Sequence, residues 1–204
     1  MIEKIFEKFL RRKKRRPFSA WQIELTTRCP LQCKMCIRRE NADWQYQDMT
    51  LEDFRKLLPY LREVESVVLE GWGESLLHKD LSECIRLVKK EGAQVGFVTS
   101  GKGLTKDRVS ELIEAGLDFV GFSIAGTTPE THDAIRVNSH LPEVLNAIRL
   151  FHEEKKRGTV GRPIARTHYP QGCPDRGRRS VLAALSGGSR KCRASRSRRQ
   201  CLAR

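Results

Sequence analysis

Short apolar runs alternate along this chain with segments whose apolar residues recur every three or four positions, and this rhythm restricts the fold more than any other feature. Val67, Val68 and Leu69 stand in a row within residues 65–71, a composition that predicts a buried strand. Residues 94–100 and 118–124 read the same way. Between them lie amphipathic helices. Thr50-Leu-Glu-Asp53 is a capping sequence, followed by Leu51, Phe54, Leu57, Leu58 and Leu61 on one face. Leu81, Cys84, Ile85 and Val88 form a second helix, stopped at Gly92, and Val109, Leu112 and Ile113 a third, with Gly116 as C-cap. Thr128-Pro129-Glu130 starts a further helical segment with Pro at its first position, and Val144, Leu145, Ile148 and Phe151 continue toward Gly158. With a strand at the head of the Trp21–Arg38 stretch, strand and helix alternate four times, the later units recurring at about 25 residues. This is an α/β chain with a parallel sheet covered by helices and right-handed crossovers. A (β/α) barrel, open or closed, and a doubly wound sheet both satisfy the pattern, and either gathers functional residues where strands end and helices begin.

The end of the first strand carries Cys29, Cys33 and Cys36, three thiols in eight residues. Cysteine thiolates are the usual ligands of iron–sulfur clusters, and three of them leave one iron of a cubane open, as catalytic sites require. Zinc is the other reading. It wants four ligands, often as two Cys-x2-Cys pairs, and only Cys33 and Cys36 form such a pair; Cys84 or His78 would have to supply the fourth.

Cys-x3-Cys-x2-Cys just after a first strand resembles the radical S-adenosylmethionine (SAM) superfamily, in particular its molybdenum-cofactor, pyrroloquinoline-quinone and peptide-maturation enzymes. The resemblance covers about residues 20–156 and implies a partial (β/α) barrel. It implies that Cys29, Cys33 and Cys36 bind a [4Fe–4S] cluster whose open iron chelates SAM. On reduction by an external donor of the flavodoxin or ferredoxin type, SAM is split to a 5′-deoxyadenosyl radical that modifies a peptide or a small cofactor precursor. Met35 departs from the aromatic residue usual before the third cysteine, and Met is adaptable enough to replace it.

The other strand ends resemble the family's SAM contacts. Gly71-Trp-Gly-Glu-Ser75 is similar to its Gly-Gly-Glu stretch, which presents carbonyls and a carboxylate to the SAM ammonium; Trp72, Gly73 and Glu74 take that role here. Thr99-Ser-Gly101 stands for Thr-Asn-Gly, so Ser100 keeps a hydroxyl and loses the amide. Ser123-Ile-Ala-Gly126 resembles Ser-Leu-Asp-Gly: Ser123 is placed to bond SAM, and Ala125 replaces the usual acid. In His132-Asp-Ala-Ile-Arg136 the arginine suits a bidentate pairing with the SAM carboxylate. His78, His132, His140 and His152 are not assigned as bases. Asp43, Trp44 and Tyr46 lie in the loop after the cysteines, where substrate would pass.

Charge divides the chain. Of the net +14, residues 159–204 hold +11, from eleven Arg and one Lys against Asp175. The core, residues 18–158, is ordinary for an enzyme. Residues 1–17 read as a basic amphipathic helix docked on the domain, its apolar Ile2, Ile5, Phe6, Phe9 and Leu10 followed by six consecutive basic residues at 11–16. In 159–204 the rhythm is expected to stop, leaving a disordered, Arg-rich tail. Binding of nucleic acid through phosphates is one reading of it, and with zinc this makes the chain a zinc-binding, nucleic-acid-associated protein; the lack of interleaved aromatic residues argues against nucleic acid. The preferred reading is translation out of frame, because Arg196-Ser-Arg-Arg-Gln-Cys-Leu202 can be encoded so that a one-base shift yields Glu-Val-Val-Ala-Asn-Ala. Later strands would then be missing and the chain could be an inactive fragment. Seven cysteines, an odd number, point to a reducing cytoplasm. No apolar run approaches the ~18 residues of a membrane span.

Overall fold

The computed structural model describes residues 16–157 and 164–168. The leading helix expected before Arg16, and the remainder of the Arg-rich tail, lie outside the described residues. The elements run β1 (Phe18–Gln22), α1 (Leu51–Leu61), β2 (Val64–Leu69), α2 (Leu81–Lys90), β3 (Gln94–Thr99), α3 (Lys106–Glu114), β4 (Phe119–Ser123), α4 (Pro129–Ile135), α5 (Leu141–Arg157) and β5 (Ile164–His168).

All strand pairings are parallel, and the sheet order is β1-β2-β3-β4-β5. That order separates the two folds that periodicity left open. A doubly wound sheet reverses its strand order at a switch point. Among the described strands it does not reverse, and right-handed crossovers in an unreversed sheet put the helices between them on one face. The arrangement is that of a partial (β/α) barrel.

Alternation along the strands sorts the two faces. Val67 and Leu69, Val95 and Phe97, and Val120 and Phe122 are buried against the helical layer, where they meet Leu81, Ile85, Val88, Val109, Leu112, Ile148 and Phe151. Burying each such side chain stabilises the fold by about 1.5–3 kcal/mol relative to exposure. The opposite face carries Val98 and the glycines 96 and 121, and it leads to the strand ends where the loops gather.

Helix ends follow the expected chemistry. Thr50 Oγ1 accepts the N–H of Asp53 at 3.0 Å and donates to the Asp53 carboxylate at 2.6 Å. Thr105 and Thr128 cap α3 and α4 in the same way. Gly116 sits past α3 at φ +97°, a left-handed position suited to glycine. At the base of the domain the Arg16 guanidinium donates to the carbonyls of Leu61 (3.1 Å), Val64 (2.6 Å) and Glu91 (3.1 Å), tying the ends of α1 and α2 together.

The rhythm does not stop at Thr159. β5 adds to β4 with Ile164 opposite Phe119 and His168 opposite Ser123. Ile164-Ala-Arg-Thr-His168 lacks the apolar run of the inner strands, and an edge strand tolerates that composition. Among the described residues no helix is long and apolar enough to cross a membrane.

Candidate active site

The chain leaves β1 extended. Ile23 N–H bonds the Val68 carbonyl at 2.9 Å, and Ile23 and Leu25 are buried. The returning segment before α1 folds over this exit, with Met49 N–H to the Leu25 carbonyl (2.8 Å), Thr27 N–H to Gln47 (2.9 Å) and Thr26 Oγ1 to Asp48 (2.5 Å). Trp44 Nε1 donates to the Thr27 carbonyl at 3.3 Å, so Trp44 anchors this flap, while Tyr46 is exposed and Asp43 is at the surface. On its other side the cysteine loop is pinned to the α4–α5 connection. Gln32 N–H donates to Val137 (3.0 Å) and Lys34 N–H to Ile135 (2.9 Å). These two bonds bracket Arg136 and bring its Nη1 to 4.0 Å from Cys33 Sγ.

The Gly71–Ser75 loop packs on the backbone of the cysteine loop. A Cβ at Gly73 would lie 1.9 Å from the Thr26 carbonyl oxygen, so only glycine fits there. Glu74 N–H donates to the Arg28 carbonyl at 2.7 Å. The Glu24 carboxylate accepts the N–H groups of Trp72 and Gly73. Buried Glu74 turns its carboxylate toward the end of β3, accepting from Thr99 Oγ1 (2.7 Å), Ser100 N–H (2.8 Å) and Ser100 Oγ (2.7 Å). Ser75, where the family more often has Pro, donates its hydroxyl to the Leu69 carbonyl at 2.6 Å and ends β2. The strand expected through Gly71 therefore stops at Leu69.

One pocket collects these ends. Cys29, Cys33, Cys36, Trp72, Gly73, Glu74, Ser100, Ser123 and Arg136 all line it, so eight residues from four strand ends and one from the end of α4 are brought together. Met35, Arg38, Glu70 and Thr99 also line it. Sequence reasoning missed Arg38, Thr99 and Glu24. Glu24 was visible as a carboxylate between two apolar residues of an exiting strand, which puts it on the inner face. Arg38 carried no signal beyond its nearness to the thiols.

Two arginines and two glutamates line the pocket. Arg38 Nη1 and Nη2 donate to the carbonyls of Cys29 (3.4 Å) and Leu31 (2.7 Å). The Nε atoms of Arg38 and Arg136 are buried without an acceptor, and both residues face this pocket. A buried donor without a partner carries its full desolvation cost until a ligand supplies one. Burial pushes the Cys29 and Cys33 thiols above their ordinary range; Arg38 beside Cys29 and Arg136 beside Cys33 pull the other way.

The donor set fits a cluster better than a zinc ion. Cys84 is buried in α2, its thiol pushed up to about 12 chiefly by burial, and does not line the pocket. His78 is held between the Met49 carbonyl (2.9 Å) and the Asp80 N–H (3.2 Å). Among the described residues no three His, Cys, Asp or Glu side chains converge on one ion, whereas a cubane offers each thiol its own iron. Nor do His132, His140 and His152 line the pocket. His132 is fully buried, Nδ1 accepting from the Ala125 N–H (3.2 Å) and Nε2 bonding Ser139 Oγ (3.1 Å). His140 pairs with Asp133 at 3.1 Å, and His152 is exposed on α5.

Comparison with known proteins gives the same picture. The profile described as the radical SAM superfamily matches residues 23–166. A PqqA peptide cyclase of Streptomyces rochei is 34% identical over 130 residues, covering 62% of this chain and 36% of its own. The tungsten-containing aldehyde ferredoxin oxidoreductase cofactor-modifying protein of Pyrococcus furiosus is 31% identical over 151 residues, 72% of this chain and 40% of its own. This chain thus spans less than half the length of these curated relatives. Among solved structures, Streptococcus suis SuiB bound to S-adenosylmethionine aligns with a TM-score of 0.63 at 15% identity, over 90% of this chain and 40% of SuiB. BtrN in complex with AdoMet and 2-DOIA aligns with a TM-score of 0.53 at 18% identity, over 74% of this chain and 57% of BtrN. At such identities the likeness is one of fold.

Proposed function

Because the chain belongs to the radical SAM superfamily, whose cofactors are a [4Fe–4S] cluster and S-adenosylmethionine, we propose that Cys29, Cys33 and Cys36 hold the cluster and that the pocket beside them holds SAM. When bound and reduced, that pair supplies a 5′-deoxyadenosyl radical by cleavage of a C–S bond of SAM.

The observation that carries this reading is the convergence of nine residues, eight from four separate strand ends and Arg136 from the end of α4, on one pocket with three thiols in its wall. Each residue has a task that its placement supports. Gly73 lets the loop after β2 lie against the cysteine loop, so that its backbone carbonyls meet the SAM ammonium beside Trp72. Glu74 holds Thr99 and Ser100 in place, taking the Ser100 hydroxyl proton so that its oxygen can only accept from the ligand, and Ser123 offers its hydroxyl to the ribose or the methionyl carboxylate. Arg136, whose Nε–H lacks a protein acceptor, pairs with that carboxylate. The flap through Trp44 and Met49 braces the segment that leads from β1 to the cysteine loop.

The substrate class is a peptide or a cofactor precursor. The relatives support this class: one is a peptide cyclase, another a cofactor-modifying protein, and SuiB has also been solved bound to a precursor peptide, SuiA. The electron comes from an external donor of the flavodoxin or ferredoxin type, and a reducing cytoplasm suits thiols that must stay free.

Anaerobic reconstitution with iron and sulfide, followed by chemical reduction with SAM, tests the reading. A cluster and released 5′-deoxyadenosine are expected, and alanine at any of the three cysteines should abolish both. Tight zinc binding with no SAM cleavage would overturn it.

A further inference from the structure

We propose that Arg38 is a positioning residue of the cluster: it clamps the cysteine loop and sets beside it a fixed positive charge that favours the reduced state. The inference deepens the function proposed above and rests on it.

Three observations converge on this side chain. It follows the third cysteine by two residues yet folds back over the first, donating to the carbonyls of Cys29 and Leu31. The guanidinium therefore closes the loop on itself. Its third nitrogen, Nε, is buried with no acceptor among the described residues. Finally, Arg38 stands between two concavities. It lines the pocket of the three thiols and also a second, polar one formed with Cys29, Pro30, Leu31, Gln32, Arg39 and Tyr46. It thus stands with Cys29 in a wall that faces the reaction on one side and solvent on the other.

Charge gives that position its meaning. Three thiolates make a cubane cluster anionic, and accepting an electron adds a further negative charge. A nearby cation stabilises the reduced form more than the oxidised one, and hydrogen bonds to the sulfurs act in the same direction. Glu70 and Glu74 also line the pocket and act against it. Arg136 is the second cation there, but it comes from the α4–α5 connection and is assigned to the SAM carboxylate, whereas Arg38 belongs to the loop that holds the thiols. The planar guanidinium bridges the two carbonyls in a fixed geometry and keeps its Nε–H for a sulfur, which a flexible ammonium does not reproduce.

The orphaned Nε–H could serve either of two anions, a cluster sulfur or the SAM carboxylate, and the test separates them. The reconstituted full chain, its Arg38→Gln variant and its Arg38→Lys variant are each titrated for cluster midpoint potential by EPR without SAM, and for SAM affinity by calorimetry. Arg38→Gln should move the potential to more negative values and leave SAM affinity within about twofold of the parent. Arg38→Lys should keep the parent's potential while losing iron to a chelator faster, since the charge remains and the clamp does not. An unchanged potential in Arg38→Gln, or a loss confined to SAM affinity, overturns the assignment. Should Arg38→Gln hold no cluster, the lysine variant decides: a displaced potential there overturns the charge role. A parent chain that assembles no cluster overturns this inference together with the proposed function, whereas an altered SAM affinity alone overturns only the inference.

Discussion

The carboxylate of Glu74 holds Ser100 by two bonds, from its backbone N–H at 2.8 Å and from its hydroxyl at 2.7 Å. With Thr99 on the other oxygen, one buried side chain binds the end of β2 to the end of β3. Replacing it by alanine strands three donors in a buried place. Each unsatisfied donor costs about 1–3 kcal/mol, so Glu74→Ala should rank among the most destabilising changes at the site. Glu74→Gln keeps the shape but turns an amide N–H₂ toward a donor. Chemical denaturation of both apo variants checks this: a loss below about 1 kcal/mol in Glu74→Ala would show that the tie does not hold the strand ends.

Gly73→Ala places a methyl group against the Thr26 carbonyl, where backbone rather than a flexible side chain must give way. Overpacking of this kind costs about 1–3 kcal/mol, and here the displaced backbone leads to Cys29. Lower thermal stability and incomplete iron loading should appear together. Normal iron loading in Gly73→Ala would separate the two loops.

Cys84 is buried in the helical layer and lies outside the pocket. Cys84→Ala should leave the iron and sulfide content of the reconstituted protein unchanged, at a stability cost on the order of 1 kcal/mol for the cavity. A loss of metal in this variant would make Cys84 a ligand.

His132 gives the fold a pH dependence. Burial first, and the neighbouring Arg136 second, hold its pKa below the ordinary imidazole value, with Asp133 opposing and His140 reinforcing. Protonation would also remove the acceptor that Nδ1 offers to the Ala125 N–H. The folded pKa is the lower one, so on acidification the unfolded chain takes up the proton first. The contribution is therefore complete above about pH 6.5 and is lost as pH falls from there through the folded value. Denaturation midpoints measured from neutral pH downward should show this fall, and His132→Gln should flatten it. An equal slope in the variant assigns the effect to another group.

Much of this molecule was legible in its residues. The Thr50 and Thr128 caps, the Gly116 stop and the apolar faces of α1, α2 and α3 are local, set by spacings of three or four residues that any reader of the chain can count. The three cysteines and the residues at the strand ends were legible for a related reason. In a parallel sheet with helical crossovers every strand delivers its end to the same edge, so separate motifs must meet. What remained hidden was long-range. Glu74 and Ser100 are 26 positions apart and Arg136 and Cys33 are 103 apart, and no periodicity relates such pairs.

Residue order alone therefore determined the alternation of strand and helix, the helix ends and the thiols available to a metal, because each depends on neighbours within about one helical turn or one strand. Tertiary structure alone decided that the strands lie in unreversed order, that the charged segment Ile164–His168 joins the sheet, and that Arg38 and Glu74 turn to the partners they have. Those outcomes depend on which distant backbones and donors are brought within hydrogen-bond reach, a matter of packing between layers rather than of any local pattern.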